Sequence, residues 1–200
     1  IILFKTILSK LYHWKIYVVG SVEYQYPNHL FQAGYFLDKK YYDENTIDFK
    51  HLLLSEKNQS LLKDIQNSNS VGVHIRRGDY MTKQNLVIFG NICTQKYYHD
   101  AIRIITEKVN DAVFYVFSDD ISWVQTHLDI PNAVYVNWNT GESSIYDMYL
   151  MSSCKYNIIA NSTFSYWAAR LNKKTNMVIY PSKWYNTFTP DIFPESWCGI

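Results

Sequence analysis

The chain carries too little net charge to attract a polyanion: 19 Lys and Arg face 18 Asp and Glu in 200 residues, leaving +1. No nucleic-acid partner follows from that balance, and any affinity for phosphate has to be local. Cysteine is scarce and far apart. Cys93, Cys154 and Cys198 fit neither a zinc spacing nor a disulfide framework, which favours a reducing compartment. There is no Gly-x-x-x-x-Gly-Lys loop and no Gly-x-Gly-x-x-Gly turn, which counts against P-loop ATPases and dinucleotide enzymes. Internal repeats and low-complexity segments are also missing. Near the start, Ile1, Phe4, Ile7, Leu8 and Leu11 have helical spacing, but Lys5 and Lys10 interrupt them. The stretch is too short to span a bilayer and lacks a signal-peptide cleavage site. With Ile at position 1, it reads as the interior of a longer protein or the start of a truncated one.

What the chain does have is a globular composition, 48% hydrophobic and 18% charged. Eighteen Tyr, six Trp and ten Phe give a weak lean toward carbohydrate handling, because flat aromatic faces suit sugar rings. From residue 70 onward, strand and helix patterns alternate. Strands are expected at Val71–Ile75, Ala112–Ser118, Ala133–Asn137, Tyr156–Ala160 and Met177–Tyr180. Between them, helices are expected at Tyr97–Val109 (with Ala101, Ile104, Ile105 and Lys108 at helical spacing), Ser122–Leu128, Ser144–Ser153 and Tyr166–Leu171. Five strands separated by helices imply a parallel sheet, the core of a nucleotide-binding half-domain at 67–200. Residues 1–66 are less regular and read as a partial N-terminal domain. They hold a candidate strand at Trp14–Gly20, a break at Tyr26-Pro27, an aromatic loop from Gly34 to Tyr42, and a polar helix at Ser60–Gln66.

Three motifs carry chemistry. In His74-Ile75-Arg76-Arg77-Gly78-Asp79-Tyr80, an apolar run ends abruptly in two arginines, which delivers fixed positive charge to the carboxyl end of a buried strand. In open α/β sheets ligands bind at that end, and guanidinium forks match phosphate oxygens. Arg77-Gly78-Asp79 also spells an adhesion tripeptide, but its attachment to a buried strand disfavours that reading. In Asn161-Ser162-Thr163-Phe164-Ser165, small polar residues lie between a strand and a helix. Plain N-capping and an anion site at the helix N-terminus both fit, and the arginine pair favours a phosphate held between two strand ends. Ser118-Asp119-Asp120 also ends a strand. It would serve a metal, a ribose, the N–H edge of guanine, or simply the cap of the next helix. With no further acidic cluster, a dedicated Mg²⁺ site has little support.

The blocks HIRRGDY, YVFSDD, DMYLMSSCKYNIIANSTFSYWAARLN and VIYPSKWY, in this order, resemble bacterial α-1,2-fucosyltransferases of glycosyltransferase family 11. The resemblance covers roughly residues 30–185 and includes the aromatic loop at Gly34-Tyr35-Phe36. It implies a GT-B-like α/β fold with a Rossmann-type C-terminal domain. It further implies metal-independent, inverting transfer of fucose from GDP-fucose to the 2-OH of a terminal galactose, and no cofactor. The acceptor would be an oligosaccharide or glycolipid, and the setting cytoplasmic, peripheral at the inner face of the membrane. By the same resemblance Arg76 and Arg77 would clamp the β-phosphate, and His74 and Asp120 would border guanine. Asn161, Ser162, Thr163 and Ser165 would form the turn that holds the phosphates, and Asp79 is the candidate base or an arginine-holding carboxylate. One departure stands out: the family's opening glycine-rich GGLGNQMFQYA segment has no counterpart here. That leaves the N-terminal domain incomplete and keeps open an inactive remnant that binds GDP-sugar or glycan without transfer.

Overall fold

A computed structural model of the chain describes residues 17–19, 31–33 and 48–200. Contacts divide the chain into one unit of residues 1–43 with 190–192 and a second of 44–189 with 193–200. Besides residues 190–192, the described part of the first unit is a parallel pair of strands, β1 (Tyr17–Val19) and β2 (Phe31–Ala33). β1 falls inside the stretch expected as a strand. The expected helical start and the aromatic loop from Gly34 lie outside the described residues.

The second unit is an α/β fold built on a Rossmann-type parallel sheet. In chain order it holds α1 (Glu56–Asn67), β3 (Asn69–Ile75), a 3-10 turn at Gly78–Met81, α2 (Lys83–Phe89), α3 (Gln95–Lys108), β4 (Ala112–Ser118) and α4 (Ile121–His127). Then follow β5 (Ala133–Val136), α5 (Ser144–Ser152), β6 (Tyr156–Ile158), α6 (Thr163–Arg170), β7 (Met177–Tyr180) and β8 (Cys198–Gly199). The six strands run in the order β5-β4-β3-β6-β7-β8, and every neighbouring pair is parallel.

Alternation along the strands builds both faces of this sheet. Val71, Val73 and Ile75 of β3, with Phe114 and Val116 of β4, pack with the α3 residues Tyr97, Tyr98, Ala101, Ile102 and Ile105. Tyr115 and Phe117 of β4 pack on the other face with Leu61 and Ile65 of α1, Leu150 and Met151 of α5, and Ala168 and Ala169 of α6. On that face β3 offers Ser70, Gly72 and His74. A Cβ at Gly72 would lie 2.8 Å from Asn157 Nδ2 and 3.0 Å from Met151 Cγ, so a side chain there would push the helical layer off the sheet. Side-chain caps start the helices: Ser55 accepts from Asn58 N–H, Thr82 from Asn85 N–H, Thr94 from Tyr97 N–H and Asp120 from Trp123 N–H.

Several details differ from expectation, beginning with α1, which starts at Glu56 rather than Ser60. α3 starts two residues earlier than Tyr97, and its buried face includes Tyr97, Tyr98 and Ile102 rather than Lys108. α6 starts at Thr163, within the turn motif. α2 and β8 are additional. α2 leaves Leu86, Val87 and Ile88 exposed and so has no apolar stripe to announce it, while β8 is only two residues long.

Candidate functional site

The strand order reverses between β3 and β6. From β3 the chain goes to β4 on one side, and from β6 to β7 on the other. The crevice outside the carboxyl ends of two such strands is where open α/β sheets bind ligands. His74, Arg76 and Arg77 close β3, and Asn161, Ser162 and Thr163 follow β6, so both expected motifs flank this switch point.

Arg76 is forked between two carboxylates: Nη2 donates to Asp79, and Nη1 lies 2.8 Å from Asp119 Oδ2. Asp119 also accepts the Arg77 backbone N–H at 2.9 Å, which ties the end of β3 to the end of β4. A Cβ on Gly78 would meet the Asp119 carboxylate, so a side chain there would displace it. Arg77 lies over Trp123, with Cζ 3.6 Å from the ring centre, and its Nε donates to Asp120 at 3.2 Å. Asp120 uses its other oxygen to cap α4. The capping reading of Asp120 is therefore present in the structure, together with an ion pair.

Aromatic contacts join the two motifs. Tyr80 stacks on Phe89 at 4.4 Å between ring centres, has the Arg76 guanidinium 5.6 Å from its own ring, and donates its hydroxyl to Asn161 O at 3.0 Å. Asn161 is buried. Its amide donates to Trp184 O and Phe89 O, and its Oδ1 accepts from the Cys93 thiol, which burial pushes up to about 12. Ser165 is also buried, and its hydroxyl binds the backbone of Ala160 and Ser162. Ser162, the residue preceding α6, makes no side-chain cap. The first-turn amides of α6 are thus not closed by the Ser162 hydroxyl.

His74 faces the same layer, its ring 5.1 Å from Phe164 of α6, with its backbone carbonyl accepting from Tyr98. Burial, and secondly the Arg76 charge, lower its pKa to about 3, so the imidazole is neutral. Its Nδ1 is buried without a protein partner. An orphaned polar atom at a switch point is a ready contact for a ligand's hydrogen-bonding edge.

A second polar group lies beyond the end of β5. Asn58 of α1 accepts from Trp138 Nε1 at 2.8 Å and from Asn139 Nδ2 at 3.1 Å, and donates to Asn139 Oδ1 at 3.0 Å. Asn139 donates also to Asp147 of α5 at 2.6 Å, and Lys57 Nζ covers the Trp138 ring at 3.7 Å. Burial pushes the Asp147 carboxyl up to about 7, against the pull of the Asn139 bond. Sequence reasoning did not single out Asp147, and it read Asp119 only as part of the Ser118-Asp119-Asp120 motif, not as a partner of Arg76. The one signal for Asp147 is an acid in the first turn of the otherwise apolar helix SIYDMYLM. Among the described residues, no three His, Cys, Asp or Glu side chains are grouped to hold a metal ion, and no helix is long and apolar enough to cross a membrane.

Fold and rim together define a Rossmann-type α/β domain in which two arginines follow β3, held by carboxylates beyond β4, and a helix without a side-chain cap follows β6. The family model of glycosyl transferase family 11 matches residues 4–200, and the chain belongs to that family. It is 35% identical to an alpha-1,2-colitosyltransferase of Escherichia coli over 196 residues, covering 90% of this chain and 63% of that protein. It is 44% identical over 122 residues to the O-antigen biosynthesis glycosyltransferase WbnK of Escherichia coli, covering 60% of this chain and 40% of that one. Galactoside alpha-(1,2)-fucosyltransferase 2 of Pongo pygmaeus matches at 28% over 163 residues, 75% of this chain and 48% of its own length. The chain thus spans between 40% and 63% of the length of these relatives. Among solved structures, fucosyltransferase NodZ from Bradyrhizobium covers 57% of the chain and 40% of its own at 19% identity, with a TM-score of 0.41, a likeness too loose to carry an argument.

Proposed function

We propose that the protein transfers fucose from GDP-fucose to the 2-OH of a terminal galactose, with inversion and without a metal. The observation that carries this reading is the placement of Arg76 and Arg77 at the β3–β6 switch point, opposite the uncapped start of α6. As the bond from the sugar C1 to the phosphate oxygen breaks, negative charge gathers on the departing diphosphate. Guanidinium groups and helix amides neutralise it, a role filled elsewhere by divalent cations. The acceptor hydroxyl bonds to C1 from the opposite face and gives up its proton, for which Asp79 is the candidate base. Neutral His74, with its orphaned Nδ1, borders the base of the nucleotide. Ser162 and Thr163 supply phosphate contacts. Asp120, Asn161 and Ser165 hold the arginine and the turn in place, since their polar side-chain atoms already bind protein. A relative named for O-antigen biosynthesis supports a cytoplasmic setting, at the inner membrane face, with a lipid-linked or polysaccharide precursor as acceptor.

A second reading keeps the machinery and changes the sugar. The relative named for colitosyl transfer is 35% identical, against 28% for one named for fucosyl transfer, and phosphate contacts do not read the sugar. The test is transfer to a galactose-terminated acceptor from GDP-fucose and from GDP-colitose, by wild type and Arg76→Ala. A loss of roughly 100-fold or more in the variant, with the fold intact, is expected from removing one transition-state donor. Full activity in Arg76→Ala would remove the proposal, and transfer from GDP-colitose alone would select the second reading.

A further inference from the structure

The two carboxylates that hold Arg76 differ in how firmly they are attached. Asp119 binds both the Arg76 guanidinium and the Arg77 backbone N–H, lies tight against Gly78, and has 26% of its side chain exposed. Asp79 sits on the 3-10 turn with 56% of its side chain exposed, and its carboxylate meets Arg76 alone. Asp119 is anchored to two backbone segments. Asp79 is held at one point and faces water.

A guanidinium grips a diphosphate through paired N–H groups, and both Nη atoms of Arg76 already face a carboxylate. Two of its five N–H groups are engaged, and a phosphate that grips Arg76 bidentately through either of these takes the place of the carboxylate on it. We infer that Asp79 is an exchangeable stand-in: it occupies on Arg76 the position that a phosphate oxygen of the nucleoside diphosphate takes, and the diphosphate displaces it while Asp119 keeps its hold. This rests on the reading of the rim as the donor's diphosphate site. The exchange replaces one anion on Arg76 with another, so the guanidinium is never left unpaired. It also frees the Asp79 carboxylate when the donor arrives, which couples the candidate base to a loaded site. Asp119 is a positioning residue that acts through Arg76 and the β3 end.

Calorimetric titration of the full chain with inorganic pyrophosphate separates the two aspartates by sign. Asp79→Asn removes the competitor and should tighten binding roughly two- to fivefold, the range of an exposed ion pair. Asp119→Asn should weaken it roughly tenfold or more, because Arg76 loses its anchor. A merely structural Asp79 would weaken binding when removed, and simple loss of negative charge would tighten both variants; either result overturns the exchange. A crystal structure with pyrophosphate bound is the second readout, independent of whether Asp119→Asn folds. Asp79 withdrawn from Arg76 with Asp119 in contact supports the exchange, and Asp79 still paired there overturns it. Arg76→Ala keeps the two readings apart. Unchanged pyrophosphate binding in that variant removes the donor-site reading and this inference together. Binding lost in Arg76→Ala, but equal in wild type and Asp79→Asn, removes the exchange alone.

Discussion

Two polar groups lie on the carboxyl edge of the same sheet, and their construction is opposite. Beyond β3 and β4, two arginines meet three aspartates in ion pairs whose side chains are 19–56% exposed. Beyond β5, Trp138, Asn58, Asn139 and Asp147 form a chain of hydrogen bonds through a buried asparagine, and burial pushes its one carboxyl up to about 7. Exposed ion pairs contribute little stability and change partners readily. Buried amides hold their partners because each loss strands another polar atom away from water. The difference teaches that polarity at a sheet edge has two uses, and that burial tells them apart. On the proposed reading the arginine rim serves an incoming anion, while the amide cluster ties α1 and α5 to the loop after β5.

The largest effects should come from breaking each region by itself. Gly78→Ala places a carbon on the Asp119 carboxylate and should cost roughly tenfold or more in pyrophosphate affinity, read by calorimetry, with unfolding free energy lowered by about 1 kcal/mol or less. Asn58→Leu does the reverse. It strands Trp138 Nε1 and the Asn139 amide, and should lower the unfolding free energy by about 2–3 kcal/mol in urea titration, with pyrophosphate affinity within about twofold of wild type. If either variant produced the other's pattern, the division of labour would be wrong.

A smaller effect lies in pH. The folded Asp147 carboxyl titrates near 7, above its unfolded value near 4, so its contribution is complete below about pH 4 and is lost as pH rises through 7. His74 runs the other way. Its folded value near 3 lies below the ordinary 6.5, so stability is present above pH 6.5 and is lost on acidification, by about 1.4 kcal/mol per unit. Between about pH 4 and 6.5 the two slopes oppose each other. Asp147→Asn should therefore expose an acid-side decline that wild type masks, measured as unfolding free energy against pH. A flat profile in that variant would contradict the assignment. Smallest of all, raising salt from 0.1 to 1 M should shift the thermal midpoint of Asn58→Leu as little as that of wild type, because its lost bonds are uncharged.

Much of this was legible in the chain. An apolar run ending abruptly in charge located β3, and AVFYVFS located β4 at Ala112–Ser118. The two motifs that flank the switch point could be read as strand ends before any sheet order was known. The pairing of Arg76 with Asp119 could not. It depends on β3 lying beside β4, which brings residues 43 apart into contact, and no local pattern encodes that. The difference between Ser162 and Ser165 was equally hidden: both are hydroxyls in one turn, but one leaves the helix start uncapped and the other is turned inward onto Ala160. Asp147 became visible only when burial by α1 and the β5 loop raised its pKa. α2 escaped because its apolar residues face outward.

The most direct test of the arginine rim is calorimetric titration of GDP into wild type and Arg76→Ala. One site in wild type and affinity lower by roughly 100-fold in the variant, with unchanged thermal unfolding, is the predicted result. Equal dissociation constants in the two proteins would contradict the account.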